Sequence, residues 1–160
     1  MTSTIPDGYT AVTPWIISSD TSQLFAFLTD AFGGEELSRM ADDSGAIVHA
    51  EIRIGDAIVM AFDAPTGTQP QPAFIRLYVP EARFAFAKAI QAGATEVTKP
   101  TLLAFGDRVA RVRDPLGNIW WLQQRVEEVS ESEMQQRWGD PRWSEPMAYV
   151  QNSLAEALKH

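Results

Sequence analysis

Two stretches of this chain are built on one plan, and that repetition constrains the fold more than any other feature. AVTPWIISS (11–19) runs into Asp20, then into an amphipathic stretch with Leu24, Phe27, Leu28 and Ala31 at helical spacing, and stops at Gly33-Gly34. AFIRLYVP (73–80) runs into Glu81, then into a second Phe-rich helical stretch, EARFAFAKAIQA (81–92), and stops at Gly93. Asp20 to Gly33 and Glu81 to Gly93 agree in length to within one residue. Asp20 reads as an N-cap, with Gln23 three residues on completing a capping box.

Beyond each helix the chain is extended. The first half continues with EELSRMA (35–41), a turn at Asp42-Asp43-Ser44-Gly45, IVHAEIRI (47–54), a turn at Gly55-Asp56, and AIVMAFDA (57–64). The second continues with EVTKPTLL (96–103), an edge segment broken by Pro100, and then DRVARVRD (107–114) and NIWWLQQRV (118–126) around the turn Pro115-Leu116-Gly117. The expected fold is α+β, with two tandem βαβββ modules at 9–64 and 73–128. The Pro-rich polar segment PTGTQPQP (65–72) joins them, and a helical extension (129–160) comes last. In that extension Ser130 and Glu133 make a capping box, Trp138 and Trp143 flank a Gly-Asp-Pro turn, and Ser144 and Pro146 begin a last helix. Met147, Val150, Leu154 and Leu158 form its apolar stripe, suited to packing on its own domain or on a second subunit.

Composition narrows the function. A net charge of −8 argues against a nucleic-acid backbone as partner. No apolar run nears the roughly 20 residues of a membrane span, and the first residues lack a basic and an apolar region of a secretory signal, so a cytoplasmic location and no membrane partner are expected. With no cysteine and only two histidines, His49 and His160, ligands for a transition metal are scarce.

VTPWIISSD, AFGGEE, GAIVHAEIRIGDAIVMAFD, LYVPEARFAFAKAIQAGA, FGDR and RDPLGNIWW resemble the PhnB-like branch of the glyoxalase and bleomycin-resistance proteins, within the vicinal oxygen chelate superfamily. The resemblance covers about residues 9–130. It implies cupped mixed sheets with the helices outside, the two concave faces making a ligand cavity, and commonly a homodimer. Metal-binding members place one ligand on each of four strands. Matched motif by motif, those positions fall at Thr13, at Met60 or Phe62, at Phe74 and at Trp121. A hydroxyl, a thioether and aromatic rings do not assemble a divalent site, so neither a metal nor another cofactor is expected.

Strand alternation offers a separate view of the cup. Val48, Ala50, Ile52 and Ile54 pair with the helix, which leaves Ile47, His49, Glu51 and Arg53 facing the cup. Across the tight turn, Ile58, Met60 and Phe62 share that face with Trp15. In the second module Ile75, Leu77, Val79, Ala110, Val112, Trp120 and Leu122 go to the helix side. Phe74, Arg76, Tyr78, Val109, Arg111, Arg113, Ile119, Trp121, Gln123 and Arg125 face the cup. The candidate ligand-binding residues are therefore Trp15, Met60, Phe62, Phe74, Arg76, Arg111, Trp121 and Gln123, and the candidate catalytic residues are His49 and Glu51. His49 and Glu51 serve either as a structural hydrogen-bonded pair or as acid and base. Arg76 and Arg111 either pair with Glu51 or Asp63 or hold an anionic or carbonyl group. The first reading is a metal-free protein that binds a planar or aromatic small molecule. The second is a lyase or isomerase with Glu51 or His49 as general base.

Overall fold

The structure is a computed structural model and describes residues 2–160. Strand β1 (Trp15–Ser18), helix α1 (Thr21–Phe32) and strands β2 (Glu35–Ala41), β3 (Ile47–Ile54) and β4 (Ala57–Asp63) form the first module. Strand β5 (Phe74–Tyr78), helix α2 (Ala82–Gln91) and strands β6 (Thr95–Leu102), β7 (Asp107–Arg113) and β8 (Ile119–Arg125) form the second. The sheets run β1-β4-β3-β2 and β5-β8-β7-β6, so both have the same topology. In each the first strand pairs parallel with the last and the remaining pairs are antiparallel. Helices α3 (Glu131–Arg137) and α4 (Pro141–Ala157) complete the order.

The helices start where the acidic caps stand. The Asp20 carboxylate accepts the Gln23 N–H at 2.8 Å, and Glu81 accepts the N–H groups of Arg83 and Phe84. Gly33, at φ +67°, turns the chain out of α1. Pro100 lies where the β6–β7 ladder slips, between Thr98 and Thr101, so its missing N–H costs no regular bond.

The turn after β7 is a polar knot. The buried Asp114 carboxylate accepts the N–H groups of Leu116 and Asn118, the Asn118 side-chain amide and the Trp120 indole. Asn118 in turn accepts the Ala73 N–H at 2.8 Å, which fixes the entry into β5. The DPLGNIW phrase is thus a device of the fold.

The helix-side faces of both sheets and the inner faces of α1 and α2 make one core, with Trp120 against Phe32 at a ring separation of 5.4 Å. Contacts between the modules run through α1 against α2. Both helices are therefore internal to the pair of sheets, and the other face of each sheet looks away from the core.

Four sequence expectations need correction. The helices, expected outside the sheets, pack against each other between them, because their apolar faces share one core. Ile47 is core and Val48 is exposed, the reverse of the simple alternation, because the β2–β3 register slips between Met40 and Ala41 and turns the first residues of β3 over. The last helix begins at Pro141, capped by Asp140, and Pro146 lies within it. Leu158 lies beyond the end of α4 and is exposed, so the apolar stripe ends earlier than its periodicity suggests.

Candidate functional site

On the outward face of the first sheet, strand register aligns Trp15, Met60, Glu51 and Ser38 in one row across four strands. Trp15 is 47% exposed and meets His49 and Phe62 edge-on, at ring separations of 5.5 and 5.7 Å. Both oxygens of the Glu51 carboxylate have a partner. The carboxylate accepts the Tyr9 hydroxyl at 2.7 Å and lies 3.0 Å from His49 Nε2. The Tyr9 hydroxyl first, and then His49, hold its pKa below the usual carboxylate range. His49 and Glu51 are thus within hydrogen-bond distance of each other on the outward face. Asp63 is committed elsewhere, accepting the N–H groups of Thr21 and Ile47.

The second sheet shows the matching row: Arg76, Trp121, Arg111 and Thr98. Trp121 stands between two arginines, with the Arg111 guanidinium 3.9 Å and the Arg76 guanidinium 5.9 Å from its ring centre. Phe74, half exposed, meets Trp121 edge-on at 6.0 Å. Arg76 donates to the Gln123 side-chain oxygen at 3.1 Å, and the Gln123 amide donates to Asp107. Arg76 also lies over the Tyr78 ring.

Neither arginine pairs with Glu51 or Asp63. Arg111 is 2% exposed and, among the described residues, faces no carboxylate. It donates to Thr98 Oγ1 at 3.1 Å and to the Val150 carbonyl of α4 at 2.8 Å, while its Nε has no acceptor. The buried Trp121 Nε1 has none either. Burial lowers the Arg111 pKa to about 10. Its neighbour Arg113 donates to the Ala157 carbonyl at 2.6 Å.

Helix α4 therefore lies on the outward face of the second sheet. Val150 and Met147 pack on Leu103, Val109 and Trp121; Ser153 meets Thr98 at 2.8 Å; and the Tyr149 hydroxyl accepts the Lys99 N–H. Strand alternation marks the residues of both faces, whereas Tyr9, Thr98 and the α4 backbone carry no such mark. Tyr9 comes after a turn-forming Asp7-Gly8 pair, and nothing in its spacing points to Glu51. Backbone acceptors for Arg111 carry no sequence signal at all.

The two aromatic groups, Trp15 with Phe62 and Phe74 with Trp121, sit on separate sheets of the chain and do not touch. A single intramolecular cavity shared by Trp15 and Phe74 is not what this chain forms.

Residues 9–122 match the family model described as the Glyoxalase/Bleomycin resistance protein/Dioxygenase superfamily. The chain belongs to this superfamily. An uncharacterized protein of Mycobacterium bovis is 34% identical over 136 residues, an alignment covering 78% of this chain and 90% of that protein. Among solved structures, TioX from Micromonospora sp. ML1 superposes with a TM-score of 0.63 at 22% identity, covering 73% of this chain and 99% of its own. A glyoxalase/bleomycin resistance protein/dioxygenase from Nocardioides superposes at 0.55 with 18% identity, covering 81% and 90%. At such identities the structures support the fold alone.

The superfamily's metal positions can be tested against the donors present. Met60 and Trp121 sit on the last strands of their sheets, Phe74 opens the second sheet, and Thr13 precedes the first. None supplies an imidazole or a carboxylate. Among the described residues, no three His, Cys, Asp or Glu side chains gather where one ion would reach them. The donor set does not fit a divalent ion of the family type. No helix among these residues is long and apolar enough to cross a membrane.

Proposed function

We propose that this protein binds a planar or aromatic small molecule without a metal, in the manner of a bleomycin-resistance-type binding protein of the PhnB-like branch. The observation that carries this reading is the row Arg76–Trp121–Arg111. An aromatic wall flanked by cations stands where a metal-dependent relative would place its carboxylate. Trp15, Met60 and Phe62 on the first sheet and Phe74 and Gln123 on the second supply further apolar and orienting surface. The outward direction of both faces favours a homodimer, in which the first sheet of one protomer meets the second sheet of its partner at the part that α4 leaves exposed, around Phe74 and Arg76. A lyase or isomerase acting through Glu51 or His49 has less support, because Tyr9 and His49 lower the Glu51 pKa and each occupies one of its oxygens.

The test is native mass spectrometry of the purified protein, with small-molecule extraction and metal analysis on the same sample. The expected result is an organic, aromatic ligand and substoichiometric metal. A stoichiometric divalent ion lost on mutation of the cup residues would overturn the reading.

A further inference from the structure

We propose that α4 is a displaceable cover on the second sheet, and that it holds Arg111 in reserve for a ligand carrying a carboxylate, sulfonate or similar anionic group. The inference rests on the reading of that face as a ligand surface. It adds the chemistry of the ligand's polar end and the element that controls its entry.

Three observations carry it. First, α4 lies wholly outside the stretch that matches the superfamily, which ends at residue 122, yet it covers the face on which ligand binding is proposed. It is an addition to the cup, not part of its frame. Second, the contact is polar in character. Arg111 and Arg113 are held by helix carbonyls, Thr98 by Ser153 and the Lys99 N–H by Tyr149, while the buried apolar contribution of α4 comes mainly from Val150 and Met147. Most of these bonds exchange for bonds to water when the helix lifts, so each contributes only a modest net amount to holding α4 down. The Val150 carbonyl can keep its helical partner when Arg111 leaves.

Third, the group beneath the cover is incompletely satisfied. A guanidinium that is 2% exposed faces no carboxylate among the described residues, and its Nε lacks an acceptor. The indole N–H of Trp121, whose ring is stacked on that guanidinium at 3.9 Å, lacks one as well. A buried cation with only neutral acceptors is expensive to hold. An anionic group reaching the Arg111 guanidinium would supply its missing counter-ion, and the planar body of the same molecule would lie against the exposed Phe74 beside Trp121. Arg76, beside Trp121 on the neighbouring strand, is exposed and marks the open end of the path.

The chain has no cysteine, which permits a clean test. Thr98 Oγ1 and Ser153 Oγ lie 2.8 Å apart, so the double variant Thr98→Cys/Ser153→Cys can staple α4 to β6 on oxidation and release it on reduction. The probes are 1-anilinonaphthalene-8-sulfonate and N-phenyl-1-naphthylamine, which share an aromatic body and differ in the sulfonate. Reduced protein should bind the sulfonate probe, and oxidation should weaken binding at least tenfold. In the otherwise unaltered chain, Arg111→Met should weaken the sulfonate probe at least tenfold and leave the neutral probe nearly unchanged. Amide exchange read by mass spectrometry, on the unaltered chain, should show α4 opening faster than β7 and β8.

Equal binding in the oxidised and reduced states, with Arg111→Met still weakening it, would overturn the cover while leaving the ligand face intact. Binding that survives both the staple and Arg111→Met lies elsewhere and overturns the proposal. Exchange in α4 as slow as in β7 and β8 would also overturn it. Opening of α4 with no probe bound in either state would reject the reserve role of Arg111 and the reading of the second face together.

Discussion

Trp120 and Trp121 are neighbours with opposite duties. Trp120 is 1% exposed, sits in the shared core and donates its indole N–H to Asp114 at 2.9 Å. Trp120→Ala should lower stability by about 3–5 kcal/mol in urea unfolding. Trp121 faces outward between two arginines and is only partly buried, so Trp121→Ala should cost clearly less, on the order of 1–2 kcal/mol, and should change ligand binding instead. Equal losses would make Trp121 a core residue. Arg111 supplies a second prediction. Replacing a buried charge that lacks a counter-ion by an apolar side chain of similar length is often neutral or stabilising. Arg111→Met should therefore unfold within about 1 kcal/mol of the parent or at higher urea. A loss of several kcal/mol would mean that the bonds to Thr98 and Val150 hold the fold together.

At the scale of elements, the segment before β1 is tied to β3 by a single carboxylate. Tyr9 and His49 lower the Glu51 pKa, so the folded state binds this proton less readily than the unfolded chain. That stabilisation is present above the ordinary glutamate pKa of about 4.3 and is lost as the pH falls through the lowered folded value. Glu51→Gln should therefore cost about 1–2 kcal/mol at neutral pH, and the gap to the parent should close in thermal melts taken below about pH 4. A gap independent of pH would contradict the assignment. The link between β8 and the extension depends on backbone closeness at Gly106. Its φ is +92°, its carbonyl accepts the N–H groups of Val126 and Glu127, and an added Cβ would stand 2.4 Å from the Glu127 carbonyl. Gly106→Ala should destabilise by more than about 1 kcal/mol, with α3 and α4 losing exchange protection first.

For the whole molecule, one core is shared by two modules, and the outward face of each sheet points away from it. In the proposed dimer each face would supply half of a cavity. Sedimentation equilibrium at micromolar concentration is expected to give twice the 17.7 kDa of the chain. A 17.7 kDa species under those conditions would remove the dimer from the proposal.

The β-α-β-β-β order of both halves, the caps at Asp20 and Glu81, the two tight turns and the outward side chains of β4, β5, β7 and β8 were legible in the residues. Each is set by local chemistry: period, capping, or turn propensity. The slip at Met40–Ala41 was not legible, because a bulge depends on how two strands meet. The engagement of Glu51 by Tyr9 joins residues 42 positions apart and carries no local signal. Sequence alone also left open whether Arg111 met a carboxylate or a ligand. Tertiary structure removed the carboxylate pairing, by laying α4 on the second sheet and offering a backbone carbonyl, which no side-chain pattern encodes. It also decided which way the two cups point, because α1 and α2 pack on each other: the apolar stripes found in the sequence say that a helix face is buried, but not against what.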